Sequence, residues 1–123
     1  MNSPRVVGQP IPQIDAPEKV RGGARYVGDM SLPGMLHAKV LRSPHAHARI
    51  LRVGTERAAG VPGVAAVFTG EDAPERPWGI IHKDQYVLAR GKVRYVGEEV
   101  AAVAAESEDA ALEALERIDV EYE

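Results

Sequence analysis

Hydrophobic and polar side chains alternate along two neighbouring segments, residues 35–41 and 48–53. A period of two is typical of strands that bury one face. Ser43 and Pro44 lie between the segments and predict a break, because proline cannot donate a hydrogen bond to a strand ladder. The pattern therefore predicts two separate strands joined by a corner.

Further apolar segments predict four more strands. Residues 64–69 and 100–105 are almost entirely apolar, as buried strands are, and the second run is long enough for a central strand. Residues 92–96 and 119–122 predict a short strand and a last strand. The irregular stretch 70–87 is long for a compact domain, and ordered loops of such length are more often functional than decorative.

Three short helices are predicted from residues that commonly precede a first helical turn. Asp15 and Thr55 each begin a short turn of helix. Ser107 begins a longer helix, since acidic residues follow it in the first turn, where the helix dipole favours them. The predicted apolar stripe of this helix consists of Ala111, Leu112, Leu115 and Ile118.

Strands and two or three short helices thus interleave along the chain, with a strand-helix-strand unit at the C-terminal end. We expect a single α+β domain with a mixed β-sheet. The domain is expected to span residues 14–123. Residues 1–13 carry three prolines without a clear period, which predicts an extended N-terminal arm.

The composition limits both the core and the chemistry. Hydrophobic residues make up 45% of the 123 residues but aromatic residues only 5%, so the core must consist mainly of Val, Ala, Leu and Ile. Cysteine is absent, which excludes disulfides, thiolate metal sites and thiol catalysis in this chain and favours a cytoplasmic location. No apolar run has the length of a signal core or a membrane span, so no membrane partner is expected.

Charge is unevenly distributed, although the formal net charge is only -3. The C-terminal residues 106–123 are mostly acidic, and the middle of the chain carries a basic cluster. Such a distribution can mark a surface for nucleic acid or an anionic ligand, so a free-standing binding module is the alternative function. Solvated faces are the simpler interpretation, because no aromatic residue lies among the basic ones. The basic cluster consists of Lys39, Arg42, Arg49, Arg52 and Arg57.

Three histidines lie close together in the sequence. His45 and His47 could point to the same side of a strand, with His37 nearby, and share a metal ion. No carboxylate that would complete a metal site lies near them, and two neighbouring arginines would repel a cation. We therefore expect these imidazoles to make hydrogen bonds at a turn or an interface.

One carboxylate pair, Glu98 and Glu99, could serve acid-base chemistry. Adjacent residues of a strand face opposite ways, so the two are not expected to act on one substrate. One of them is expected to pair with Lys92 or Arg94 or to be solvated. Glycine-rich phosphate loops and the Gly-x-Ser-x-Gly nucleophile motif are absent from the sequence. The residues by themselves therefore predict no catalytic, cofactor-binding or metal-binding side chain.

Several ordered segments together resemble a known family. The chain is similar to the N-terminal α/β-hammerhead domain of the molybdenum-binding large subunit of molybdenum hydroxylases, which include xanthine dehydrogenase, aldehyde oxidase, carbon monoxide dehydrogenase and 4-hydroxybenzoyl-CoA reductase. The resemblance covers nearly the whole chain. The segments that carry it include Leu-Pro-Gly-Met-Leu-His-Ala at 32–38, Arg-Ser-Pro-His-Ala-His-Ala-Arg-Ile at 42–50, Lys-Val-Arg-Tyr-Val-Gly-Glu at 92–98 and Val-Glu-Tyr-Glu at 120–123.

The resemblance implies a structural and interface domain of an oxidoreductase. In that family, longer domains of the same subunit hold the molybdopterin cofactor and supply the catalytic glutamate. Iron-sulfur clusters and FAD reside on partner subunits or segments. The intact enzymes insert a hydroxyl derived from water into a small organic substrate, whereas no cofactor and no activity are expected of this chain alone. Its expected partners are the molybdopterin-binding domains and the iron-sulfur and flavin subunits, not nucleic acid.

The resemblance also suggests two groups of contact residues. In xanthine dehydrogenase-like members, the loop before the Tyr-Val-Leu-Ala segment contributes to the mouth of the substrate channel, and the matching positions are Ile80, Ile81 and His82. The second group surrounds the Ser-Pro corner and is expected to dock onto the cofactor domains. It consists of Arg42, Pro44, His45, His47 and Arg49.

Overall fold

A computed structural model of the chain describes residues 7–8 and 10–123. Contacts between residues divide the chain into two units, Met1–Pro33 and Gly34–Glu123. Part of the predicted N-terminal arm, residues 1–6 and 9, lies outside the described residues. The predicted boundary between arm and domain after residue 13 therefore stays a prediction.

The first unit contains one short helix and one turn. Helix α1 spans Ala16–Val20, and a 3-10 turn spans Val27–Asp29. Asp15 precedes α1 as predicted, but its side chain makes no capping hydrogen bond. The carboxylate instead forms an ion pair with Lys19, at 2.6 Å. This contact is local, so the sequence around Asp15 is sufficient to predict this turn of helix.

The second unit contains the six strands and the two other helices that the sequence predicts. Ser107 caps the longer helix, because its hydroxyl oxygen accepts a hydrogen bond from the Ala110 backbone N–H at 3.2 Å. Thr55 precedes the shorter one without a side-chain cap. The elements are β1 His37–Arg42, β2 Ala48–Gly54, α2 Glu56–Ala59, β3 Val64–Thr69, β4 Lys92–Val93, β5 Glu99–Ala105, α3 Glu108–Glu116 and β6 Asp119–Tyr122.

Strand β4 is shorter than the segment 92–96 predicted for it. The chain turns immediately after Val93, because the Arg94 backbone N–H donates to the Glu98 carboxylate rather than to a neighbouring strand. Gly97 then takes a φ of 91°, which a residue with a side chain rarely adopts. A polar side chain therefore ends the strand where the apolar pattern alone would continue it.

The strands form two antiparallel sheets, with orders β1-β5-β3 and β4-β2-β6. The α+β class is confirmed, but the expectation of one mixed sheet was wrong. A strand-helix-strand unit that stays within one sheet makes that sheet partly parallel. In the structure β5 and β6 belong to different sheets, so α3 connects the sheets.

One face of the β1-β5-β3 sheet is covered by helices. Ala101, Val103 and Ala105 of β5 are buried there against Ala58 of α2 and against α3. Of the predicted stripe, Ala111 is buried on α3, Leu115 is partly buried, and Ile118 is buried just after the helix ends. Leu112 is exposed, and Ala114 is buried instead. We call this side of the sheet the helix-covered face.

Neither α2 nor α3 covers the opposite side of the same sheet, and we call it the open face. Val40 and Phe68 both pair with Ala102 of the central strand, so the three side chains lie together. Phe68 is 48% exposed. The expectation of a buried strand at 64–69 was therefore wrong, because β3 is an edge strand with its larger side chain on the open face.

A second hydrophobic cluster joins the two sheets. Val100, at the start of β5, packs with Val93 and Ala89, and Ala48 of β2 completes the buried cluster. The largest fully buried side chains of the described residues are valines, as the low aromatic content predicts. Within the same residues, no helix is both long and apolar enough to cross a membrane.

Candidate functional site

A long connection between β3 and β4 forms most of the candidate site, and we call residues 70–91 the strap. Its base is tightly closed, because a Cβ on Gly70 would lie 2.3 Å from the carbonyl oxygen of Ala89. The Arg90 guanidinium forms ion pairs with Glu71 at 3.0 Å and with Glu75 at 2.9 Å. The two ends of the strap are therefore held together by backbone packing and by charge.

A second closure lies near the tip of the strap. The backbones of Trp78 and Gln85 exchange two hydrogen bonds, of 2.8 and 3.1 Å. Gly79 has a φ of 152°, and a Cβ there would lie 1.7 Å from the carbonyl oxygen of His82. Only glycine fits this position, since any side chain would collide with backbone. The tip is thus a separately closed turn.

The predicted substrate-channel residues lie on this tip. The side chains of Ile80 and Ile81 are fully exposed, and His82 is exposed beside them. None of the three lines any of the three cavities found next to the strap. Their role in a substrate channel stays a prediction.

The larger cavity, of about 670 Å³, lies between the strap and the turn that precedes β5. It collects charged and aromatic side chains that are far apart in the sequence. We call it the polar cavity. Its lining consists of Trp78, Asp84, Gln85, Tyr86, Val87, Arg94, Tyr95, Glu98 and Glu99.

Glu98 is the buried carboxylate of the polar cavity. One of its oxygens accepts the Arg94 backbone N–H, and the other accepts the Arg94 guanidinium at 3.2 Å. The guanidinium carbon also lies 5.4 Å from the centre of the Tyr86 ring, in cation-π geometry. The predicted pairing of one glutamate with a nearby basic residue is confirmed.

Glu99 lines the same cavity, although opposite orientations were expected for the two glutamates. The alternation of a strand does not apply to the pair, because Glu98 precedes the first residue of β5. Glu99 accepts Arg42 Nη1 at 2.7 Å on one oxygen and the Tyr95 hydroxyl at 3.5 Å on the other. Arg42 also donates to the Gly97 carbonyl oxygen, which fixes its guanidinium beside Glu99.

The pKa of Tyr95 reflects the surroundings of its hydroxyl in the polar cavity. Partial burial raises the pKa of its hydroxyl above the ordinary value, and the negative charges of Glu99 and Glu98 raise it further. Arg42 counteracts this effect only in part. The two carboxylates thus add to the effect of burial on the pKa of Tyr95.

A smaller cavity of about 370 Å³ adjoins the first, and we call it the apolar groove. It lies where the strap crosses the open face. Val87 and Glu99 line both cavities, so the two form a continuous surface. The remaining lining of the groove is Val40, Phe68, Thr69, Asp72, Ala73, Pro74, Leu88 and Ala102.

The Ser-Pro corner between β1 and β2 is an ordered turn. Ser43 is buried, its backbone N–H donates to the Glu98 carbonyl oxygen at 2.9 Å, and its carbonyl oxygen accepts Gly97 N–H at 2.8 Å. Its hydroxyl oxygen accepts the His45 backbone N–H at 3.0 Å. Sequence reasoning missed that Ser43 supports the polar cavity, although the Ser-Pro pair marked the corner.

Of the five predicted interface residues, some contact other residues of the chain and others have exposed side chains. His45 packs edge-on against the Tyr122 ring, with 4.7 Å between centroids, and Arg49 forms an ion pair with Glu123 at 2.5 Å. Arg42 is held by Glu99, as described above. Pro44 and His47 are exposed. Three of the five side chains thus have partners within the chain, which leaves the docking role of the group as a prediction.

The basic cluster is largely neutralised by acids. Four of its five members form ion pairs, and Arg57 is the member for which the described residues show none. The pairing counts against a surface for nucleic acid or another anion. Within the described part of the chain, no group of three or more His, Asp or Glu side chains is placed to hold a metal ion. The pairs are Lys39 with Glu108, Arg42 with Glu99, Arg49 with Glu123 and Arg52 with Glu56.

Comparison with known proteins gives consistent matches. Residues 21–123 match the family described as aldehyde oxidase and xanthine dehydrogenase, a/b hammerhead domain. The chain is 50% identical over 109 residues to a probable xanthine dehydrogenase subunit of Bacillus subtilis, covering 88% of this chain and 15% of that protein. It is 41% identical over 120 residues to the nicotinate dehydrogenase large molybdopterin subunit of Eubacterium barkeri, covering 97% of this chain and 28% of that protein.

Solved structures give the same result. Carbon monoxide dehydrogenase of Oligotropha carboxidovorans superposes with a TM-score of 0.87 at 38% identity, over 94% of this chain and 15% of that one. Quinoline 2-oxidoreductase of Pseudomonas putida 86 gives a TM-score of 0.83 at 39% identity, over 92% of this chain and 16% of that one. The chain therefore spans between one seventh and under one third of the length of these proteins.

Proposed function

The chain belongs to the a/b hammerhead domain family of aldehyde oxidase and xanthine dehydrogenase, and on that premise we propose that it is a structural and interface domain of the molybdopterin-binding subunit of a molybdenum-dependent oxidoreductase. The parent enzyme would insert a water-derived hydroxyl into a small organic substrate. The absence of cysteine from the sequence supports a cytoplasmic location.

The proposed interface role is supported mainly by the large apolar side chains that lie at the surface. Phe68, Trp78 and Tyr95 are each about half exposed, whereas the largest fully buried side chains are valines. A domain that stabilised itself alone would bury its aromatic residues, because they supply the most apolar area per side chain. Exposed aromatic side chains that line a cavity are typical of surfaces that meet another protein.

The polar cavity does not suit the molybdopterin cofactor. Molybdopterin carries a phosphate and is an anion, whereas Asp84, Glu98 and Glu99 supply three carboxylates to the cavity lining. Repulsion between like charges would oppose binding there. We therefore assign the cofactor to other segments of the large subunit, and the iron-sulfur clusters and FAD to partner subunits or segments.

We assign docking onto the molybdopterin-binding domains to the residues around the Ser-Pro corner. Pro44 and His47 are exposed and supply its free surface. His45 and Arg49 contribute by ordering the corner, through the Tyr122 ring and the Glu123 carboxylate. Arg42, the fifth residue of this group, does the same through Glu99 at the edge of the polar cavity.

Ile80, Ile81 and His82 are proposed to line the mouth of the substrate channel in the parent enzyme. Support comes from the two closures of the strap, at its base and beside its tip, beyond which the chain presents exposed apolar side chains. Apolar walls with a few polar groups are typical of small-molecule sites. Residues in such a place select substrates by shape and do not perform the chemistry.

A segment exchange tests the interface role. The matching segment of the Bacillus subtilis relative is replaced by this chain, and a second variant lacks the segment altogether. We expect the exchange variant to assemble with molybdenum content and xanthine-dependent dye reduction close to those of the unchanged protein, and the deletion variant to lose both. If the exchange variant behaved like the deletion variant, or if the 123-residue chain alone bound molybdopterin stoichiometrically, the proposal would be wrong.

The same exchange variant tests the channel residues. Replacing Ile80 and Ile81 together by alanine is expected to raise KM for xanthine several-fold with little change in kcat, because apolar contact with the substrate is lost. Leu51→Ala is the matched control, since Leu51 is an exposed apolar residue of β2 outside the strap. Equal kinetic constants for all three proteins would contradict a role in the channel.

A further inference from the structure

The polar cavity has an excess of negative charge. Its lining includes three carboxylates, of Asp84, Glu98 and Glu99, and one guanidinium, of Arg94. Arg94 forms an ion pair with Glu98, which is buried. Arg42 neutralises Glu99 on one oxygen, while among the described residues the partner of the other oxygen is the Tyr95 hydroxyl, at 3.5 Å. A cation that entered the cavity would meet an incompletely paired carboxylate.

Aromatic rings form the other walls of this cavity. Trp78, Tyr86 and Tyr95 are three of the six aromatic residues in the sequence, and all three line it. The face of an aromatic ring attracts a guanidinium or ammonium group, most strongly when it is tryptophan. Arg94 already lies over Tyr86 in this manner. Trp78 is 57% exposed, so its ring is accessible to a second cation.

We propose that the polar cavity and the apolar groove together bind an extended protein segment, which places an arginine or lysine side chain in the cavity and an apolar side chain in the groove. The proposal deepens the proposed interface role and rests on it for the origin of the partner. The negative charge of the cavity favours a basic side chain of the partner, and the apolar lining of the groove favours an apolar side chain.

An extended chain can occupy two adjoining sites at once. Side chains at positions i and i+2 of a strand lie on one side, about 7 Å apart. The cavity and the groove adjoin through Val87 and Glu99, which line both. Basic and apolar residues separated by one residue would therefore fill both at once. A free small cation would use the cavity and leave the groove empty.

Peptide binding to the 123-residue chain tests the proposal. The probe is the acetylated and amidated peptide Gly-Arg-Gly-Leu-Gly, and the reporter is the fluorescence of Trp78, the sole tryptophan. Two matched peptides carry citrulline for arginine or serine for leucine. Arginine amide serves as the free cation. We expect the citrulline peptide to bind about tenfold more weakly, because a charge-assisted hydrogen bond is lost.

Protein variants distinguish the cavity from other acidic surfaces. Asp84→Asn and Glu99→Gln are each expected to weaken binding of the arginine peptide several-fold. Glu121→Gln is the control, since Glu121 is an exposed acid of β6 that lines neither cavity. Asp84 lies on the exposed strap tip, so its substitution tests the proposal even if Glu99→Gln disturbs folding through Arg42. Higher salt should weaken binding, because it screens the charges.

Each alternative outcome overturns the proposal. Equal binding of the arginine and citrulline peptides would contradict the cation site, and equal binding of the leucine and serine peptides would contradict use of the groove. Arginine amide binding as tightly as the peptide would assign the cavity to a small cation instead. Absence of any fluorescence change at millimolar peptide would also refute it. If the segment exchange above still restored assembly, the interface role would stand while this inference failed.

Discussion

The helix-covered face and the open face belong to the same three-stranded sheet but are built from different side chains. On the helix-covered face, Ala101, Val103 and Ala105 are buried beneath α2 and α3. On the open face, Phe68 and Val40 flank Ala102 and remain partly exposed. The comparison shows that close packing of small residues supplies the core, while the larger apolar groups lie where another protein can reach them.

The difference in side-chain size has a physical consequence. Small residues allow helices to approach a sheet closely, and interiors packed in this way tolerate little added volume. A partly exposed surface with a groove tolerates added volume, because a new side chain can occupy the groove. We therefore expect stability to depend mainly on the helix-covered face, and the proposed contact with a partner to use the open face.

The sharpest test of this comparison uses two adjacent alanines of β5. Ala101 is 0% exposed on the helix-covered face, whereas Ala102 lines the apolar groove. We expect Ala101→Leu to lower the free energy of unfolding by about 3 kcal/mol, because the extra methylenes must displace helix α2 or α3. Ala102→Leu should change it by less than about 0.5 kcal/mol. Urea denaturation of both variants measures the difference; equal effects would remove the distinction between the faces.

The base of the strap is expected to be the next most sensitive position. Gly70→Ala places a Cβ 2.3 Å from the Ala89 carbonyl oxygen, so the backbone must shift. We expect a loss of about 2 kcal/mol in the free energy of unfolding and a change in Trp78 fluorescence, since the strap carries that residue. Gly28→Ala is the control, because no atom lies within 4 Å of its Cβ and its φ is not positive. A neutral Gly70→Ala would contradict the tight closure.

A smaller effect is expected at the start of α3, which covers the sheet. Ser107→Ala removes the hydroxyl that accepts the Ala110 N–H. The free energy of unfolding should fall by about 1 kcal/mol, the usual contribution of such a cap. Thr55→Ala is the matched control at the start of α2, where no side-chain cap is present. Thermal unfolding of both variants measures the contribution, and the same change in both would contradict it.

The smallest expected effect is the pH dependence contributed by surface carboxylates. A hydrogen bond from Lys39 and its positive charge lower the pKa of Glu108, which joins α3 to β1. Because the pKa of Glu108 is lower in the native than in the unfolded state, the ionised carboxylate stabilises the native state at pH values above the ordinary carboxyl pKa. That contribution is lost as the pH falls below about 4. Glu108→Gln should therefore flatten the acid side of the stability profile slightly, as measured by urea denaturation at several pH values.

The strap side of the sheet provides the comparison for this effect. The Thr69 backbone N–H and then the Thr69 hydroxyl lower the pKa of Asp72. Asp72→Asn should flatten the profile in the same pH range, because the sign of the shift is the same. Profiles that remained unchanged in both variants would show that solvent screens these carboxylates completely.

Most elements could be predicted because their signals are local. The Ser107 cap, the alternation around Lys39 and the apolar run after Glu99 each lie within a few residues of the element they specify. The end of β4 could not be predicted in this way. It depends on the Glu98 carboxylate, which accepts the Arg94 backbone N–H and has no signature in the apolar pattern.

The candidate site was less predictable than the fold. Trp78, Tyr86 and Tyr95 meet in one cavity, but their spacing follows neither a strand nor a helix period. Glu98 and Glu99 share that cavity because one of them precedes the strand. Family resemblance indicated the hammerhead domain, which the match over residues 21–123 confirms. It gave no signal for the polar cavity, since cavities arise from contacts between distant segments.

The second closure of the strap affects how freely this protein can diverge. Backbone hydrogen bonds between Trp78 and Gln85 separate the tip from the rest of the strap. Residues inserted between these two positions would therefore lengthen only a surface turn. Lengthening such a turn costs little, about 0.6 kcal/mol for each doubling of its length. Evolution or an engineer could therefore vary residues 80–83 in number and kind while the sheets and helices keep their sequence. Substitutions and insertions at the tip could therefore change what it binds without changing the fold of the domain.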